Sequence, residues 1–319
     1  MTISATPLFN AYQGGTFAFM PLMNYTKQPL DHQQIIQQLK QRGLLIINES
    51  DAINQLKIIS YFRLANYLRP MEQNKVAHTF KPNSYFENAV DLYYFDKELR
   101  ALIFTSIQSF EIALRSKLIH HFSLRYGAFW VMNRALFVDN KIFNDCTVRI
   151  QQEVFRSKED FIQEHFDNYS TPLIPPVWKT LEVVSFGTLS RIFCNLKDNK
   201  LKKEIAREFN LPQHQYLESW CKCAVALRNG LAHHSRIWNR KFPVKPQLPV
   251  KLNGDWIDVS ITPKNKLYAQ LCCLSYMQNF THPSNDFKQR LKTLLNSHSN
   301  VDVVAMGFSA DWENEPLWK

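Results

Sequence analysis

Glycine is scarce in this sequence, with 8 residues in 319, and alternating apolar-polar runs are few, which argues against a β-rich fold full of tight turns. Long apolar runs are missing as well. None approaches the roughly 20 residues that span a bilayer, and the first basic residue is Lys27, so neither a membrane helix nor a signal peptide is expected. The six cysteines (Cys146, Cys194, Cys221, Cys223, Cys272, Cys273) form no Cys-x-x-Cys pair and no metal-knuckle spacing; buried free thiols in a reducing cytoplasm are expected instead. Acidic residues are the minority, 28 against 38 Lys and Arg, giving a net charge of +10 that attracts polyanions such as RNA or DNA. What is abundant is apolar mass. At 45% hydrophobic and 13% aromatic residues the chain can bury a large core, which excludes disorder.

Apolar residues spaced three or four apart predict a mainly helical, all-α protein. Asp31 and Gln34 form a capping-box pattern that opens a helix ended by Gly43. A second helix is expected over Ala52–Leu68, and the longest over Glu87–Arg125, where Glu111 and Arg115 stand four apart among apolar neighbours. Three prolines in "TPLIPPVW" break the pattern. Helices at Trp178–Leu196, Lys200–Phe209 and Gln213 to about His234 follow. The segment near 242–262, with its prolines and Asn-Gly, reads as an extended loop or small hairpin. Helices at Lys264–Phe280 and Asp286–Asn296 and an aromatic tail complete the chain.

"LRNGLAHHSRIWNR", residues 227–240, stands apart from the rest. An Arg followed by four to six residues and then a His is expected by chance about 1.4 times in this composition, and Arg115 with His120 or His121 and Arg207 with His214 also match. Requiring Asn after the Arg and His at the fifth position lowers the expectation to about 0.04. Only Arg228, Asn229 and His233 satisfy it. On a helix, Leu217, Trp220, Ala224, Leu227, Leu231 and His234 share one apolar seam, whereas Asn229 and His233 share a polar face. His234 is therefore expected to pack or orient, and His233 to act. Arg228 and His233 would point about 140° apart, so convergence requires either a distortion near Gly230 or a two-fold dimer combining groups from both chains.

RNA carries its own nucleophile, the 2′-hydroxyl, so a site of this kind needs no metal and no cofactor. Histidine can serve as base or acid near neutrality, and arginine can stabilise charge on the phosphorane. Arg236, Trp238, Arg240 and Lys241 are candidate RNA-binding residues, gripping phosphates and stacking a base, with a core Trp238 and solvated charges as the competing reading. Adjacent histidines point about 100° apart on a helix, so no metal site is expected there.

These residues, with "QQLKQRGLLI", "IISYFRLANYL", "LYYFDKELRALIFTSIQSFEIALRSKL", "RSKEDFIQEHF" and "PPVWKTLEVVSFGTLSRIF" in order from about Pro29 to Lys241, resemble the Abi-like abortive-infection proteins, the AbiD/AbiF group of the HEPN superfamily. The resemblance implies a helical-bundle ribonuclease toxin of anti-phage defence, with Arg228, Asn229 and His233 catalytic and His234, Glu111 and Arg115 supporting. It also implies RNA as substrate and, in some relatives, a small structured RNA as a restraining partner; the expected homodimer rests on the helix geometry. The expected division is an N-terminal tail (1–28), an N-terminal helical region (29–85), a HEPN-like core with the motif (86–241) and a C-terminal extension (242–319). Two other readings stay open: a non-catalytic RNA-binding or regulatory module, and a structural dimerisation protein.

Overall fold

The computed structural model describes residues 24, 26–298 and 300–319; most of the expected N-terminal tail lies outside them. The described residues form twelve α-helices, α1 (His32–Gln41), α2 (Glu49–Ile59), α3 (Tyr61–Leu68), α4 (Phe86–Tyr126), α5 (Asn140–Arg156), α6 (Asp160–Asn168), α7 (Val177–Val183), α8 (Phe186–Asn195), α9 (Asn199–Glu208), α10 (His214–Ala232), α11 (Leu267–Thr281) and α12 (Phe287–Ser297). One antiparallel hairpin, β1 (Glu72–Asn74) and β2 (Thr79–Phe80), joins α3 to α4. The fold is all-α. The capping box at Asp31 forms as its sequence predicts.

α4 is the spine. Its 41 residues contain neither glycine nor proline and run until Gly127, whose φ of +82° ends the helix. At 1.5 Å per residue it is about 60 Å long. Other helices pack on it from several sides, α2, α3 and α12 towards its start and α7, α9, α10 and α11 beyond, so its apolar residues are spread around the circumference rather than gathered in one stripe. α11 is buried from Leu267 to Gln278, and Gln278 Nε2 donates to Ser106 O of α4 at 2.8 Å. The C-terminal residues continue the same core: Trp318 is fully buried, and its indole N–H donates to Tyr268 OH at 2.9 Å.

Two expectations change, and a third resolves to one of its two alternatives. The helix predicted over 52–68 is two helices, because Ser60 adopts φ 50°, ψ 143° and turns the chain between α2 and α3. The helix predicted over 178–196 splits at Val184 and Ser185; Ser185 caps α8 through the Thr188 N–H, and its own N–H donates to Glu153. Residues 242–262 are extended but form no hairpin. Pro243, Pro246 and Pro249 remove the N–H groups a ladder needs, and side chains of α10 and α11 bond the segment instead, Trp220 to Gln247 O at 2.8 Å and Gln270 to Val244 O at 3.1 Å.

Candidate functional site

α10 carries the motif. Leu217, Trp220, Ala224, Leu227 and Leu231 are buried along its inner seam, which leaves Asn229 exposed and Arg228 half-buried. The helix stays regular through Gly230, with His233 N–H still donating to Asn229 O at 3.1 Å. The distortion near Gly230 is therefore absent, and Arg228 and His233 keep the wide separation of a regular helix.

The helix ends two residues sooner than predicted. His233 is the cap, and His234 has φ +53°, the left-handed position usually given to glycine. Ser235 N–H donates to Gly230 O at 2.9 Å and His234 N–H to Leu231 O at 2.9 Å, the two bonds of a Schellman termination. The apolar seam stops at Leu231, so His234 does not pack as predicted: His233 and His234 are both exposed on the turn.

Beyond the turn, residues 235–240 have no regular secondary structure, yet Ile237 and Trp238 are 0% and 4% exposed. Three tethers from α3 and α4 hold them. Arg63 Nη1 donates to His234 O at 2.8 Å, and Arg236 Nη1 donates to Asn66 O at 2.6 Å. The Asp96 carboxylate, on α4 and fully buried, accepts the N–H of Trp238 at 2.7 Å and of Ile237 at 3.2 Å. The Tyr67 hydroxyl donates to Asp96 at 2.7 Å and Arg100 completes the group. Burial pushes the Asp96 carboxyl up, against the pull of Tyr67, Arg100 and the two backbone donors.

This settles where two candidate binding residues sit. Trp238 is core, so its ring is closed to a stacking base. Arg236 is engaged internally, with its guanidinium over the Trp238 ring at 6.0 Å, and burial holds it below the usual arginine range. Arg240 is half-buried over Phe242, and Lys241 is exposed. Arg63, bonded to His234 O, and Arg69, near Arg236, add two cations, and residues 227–241 contain no carboxylate. The cavity bordered by Leu227, Gly230, Ile237, Arg240 and Gln270 is about 70 Å³, room for about two waters. A ligand of nucleotide size has to lie on the surface.

Glu111 and Arg115 form a partly buried pair at 2.8 Å, and Arg115 also donates to Val184 O at 3.0 Å, tying α4 to the α7–α8 junction. The other Arg-His matches near it are occupied, Arg115 by Glu111 and His121 by Glu208. Among the described residues no group of three or more His, Cys, Asp and Glu side chains is placed to hold a metal ion, and no helix is long and apolar enough to cross a membrane.

Asp96, Arg100, Tyr67 and Arg63 were missed by motif reading. A signal was present: Asp96 and Arg100 are an i,i+4 pair inside the apolar run "YYFDKELRALIF", the pattern that drew attention to Glu111 and Arg115. Compared with known proteins, the chain matches a family model described as Abi-like protein over residues 54–239, a stretch that begins before α3 and ends just past Trp238. No curated protein and no solved structure matches it.

Proposed function

The chain belongs to the Abi-like protein family, and from that premise we propose that it is an abortive-infection endoribonuclease whose active surface is the exposed end of α10. The observation that carries this reading is a set of chemically capable side chains with no structural task. Asn229 on the last turn of α10 and His233 and His234 on the turn that follows all face solvent, and Arg228 is half-buried on the same helix end.

The chemistry follows from these groups. The substrate's 2′-hydroxyl attacks the adjacent phosphate; His233 takes or gives the proton, and arginine stabilises the phosphorane. Asn229 bonds the phosphate or orients the imidazole. Products are a 2′,3′-cyclic phosphate and a 5′-hydroxyl, and DNA is spared. Because Arg228 and His233 diverge on a regular helix, a two-fold homodimer joins Arg228 of one copy to His233 of the other. Arg63, Arg69, Arg240 and Lys241 supply a basic surface that takes single-stranded substrate or, in the restrained state, a small structured RNA.

The test is end-labelled RNA incubated in EDTA. Wild type is expected to cut it to cyclic-phosphate ends, and His233→Ala to cut about 10²-fold or more slowly. An unchanged pattern in the mutant, or none with wild type, sinks the nuclease reading. Salt-dependent binding without cleavage then identifies a non-catalytic RNA-binding module.

A further inference from the structure

We infer that Asp96 is a positioning residue for this site: its buried carboxylate grips the backbone of Ile237 and Trp238 and so fixes the direction in which the His233–His234 turn presents its side chains. The inference rests on the proposed active surface, since it assigns that surface its internal support.

The bonding of Asp96 carries the argument. A fully buried carboxylate is costly to keep, and natural cores keep one only when its charge and lone pairs are answered. Here both oxygens are answered: one accepts from Trp238 and Ile237, the other from Tyr67 and Arg100. Arg100 is four residues away on the same helix, so that pair joins no two elements. The tertiary bonds of Asp96 go to Tyr67 on α3 and to the irregular segment after the turn. What the buried charge attaches, therefore, is the turn.

Its placement fits that task. Two residues in the left-handed region, His234 and Asn239, bracket the clamped pair. Each has a lower-energy conformation within reach if the backbone between them is released. Arg63 and Arg236 tie the same segment to α3, but through half-exposed guanidinium groups that water can replace. Asp96 lies where water does not reach, so it sets the geometry.

The experiment compares three variants with wild type. D96L/R100M roughly keeps the side-chain volumes but removes both acceptor oxygens and the charge pair. Tyr67→Phe removes a single donor. Ile162→Ala, in the core face of α6, which packs on α7, is a control that destabilises the fold away from the site. Well below each Tm, D96L/R100M should exchange the amides of residues 234–239 at least about tenfold faster than wild type, while α10 stays protected. It should cleave RNA about 10²-fold more slowly with little change in affinity, the signature of displaced rather than absent groups. Tyr67→Phe should give a smaller change of the same kind. If exchange of 234–239 and cleavage in D96L/R100M match those of Ile162→Ala, the positioning role is overturned. Should wild type cut no RNA, only the nuclease reading fails, and the exchange comparison still decides the role of Asp96.

Discussion

His234 occupies a backbone position where a side chain is a liability. At φ +53° the Cβ crowds the following carbonyl, a strain of roughly 1 kcal/mol that glycine avoids. His234→Gly is therefore expected to raise Tm by about 1–3 °C in thermal melts while lowering any RNA cleavage; a lower Tm would mean that the imidazole has a packing role. Trp238 gives the opposite case. Buried to 4% and part of the core, it should cost about 3–5 kcal/mol on truncation to Ala, measured by denaturant unfolding. A stacking role would instead weaken RNA binding and leave stability intact. At this scale the sequence reveals which residues are unusual but not which way they face. Two residues of helix end reversed the reading of where His234 faces, because a seam drawn at 100° per residue holds only while the helix continues.

Elements were more legible than their joints. The spine α4, the capping box of α1 and the course of α10 follow from periodicity, caps and the absence of breakers. The splits at Ser60 and at Val184–Ser185 were hidden because apolar spacing continues across them; at the second, tertiary bonds from Glu153 and Arg115 draw the chain out of the helix. Helices α5 and α6 were not predicted, although Phe143, Cys146, Ile150 and Val154 of α5 are buried at helical spacing. Gly230 supplies a test at this scale. It lies in a regular helix, and a Cβ there would meet Arg240 Nη1 at 3.5 Å, ordinary contact with a movable side chain. Gly230→Ala should stabilise the protein by about 0.5–1 kcal/mol, read as a higher denaturation midpoint. A loss would show that the glycine serves a bend that another state of the helix adopts.

For the whole molecule, the expected C-terminal extension shares one core with the rest: α11 packs on α4 and α10 and is buried over twelve consecutive residues. A chain ending at residue 263 should lose cooperative unfolding, visible as a broad calorimetric transition and dye binding. The thiols report the same compactness. Burial pushes Cys194 up to about 11 and Cys223 to about 12, with Cys221, Cys272 and Cys273 also raised. At pH 7.5 the native protein should titrate none of its six thiols on a minutes timescale with an aromatic disulfide reagent, and all six after denaturation. The free thiols and the helical class were legible in the composition, but the tertiary partners of each helix could not be read, since the apolar residues of α4 are spread around its circumference and do not say which helix covers which face.

The tethers of the turn reach far along the chain: Arg63 to His234 spans 171 residues and Asp96 to Trp238 spans 142. During synthesis, α3 and α4 leave the ribosome long before the residues they are to hold. A nascent chain has no clamped turn until residue 238 has emerged and folded back, and a product truncated before that point never acquires one. The surface proposed to act on RNA is thus one of the later parts of the chain to take shape, because its supports are made first and wait for it.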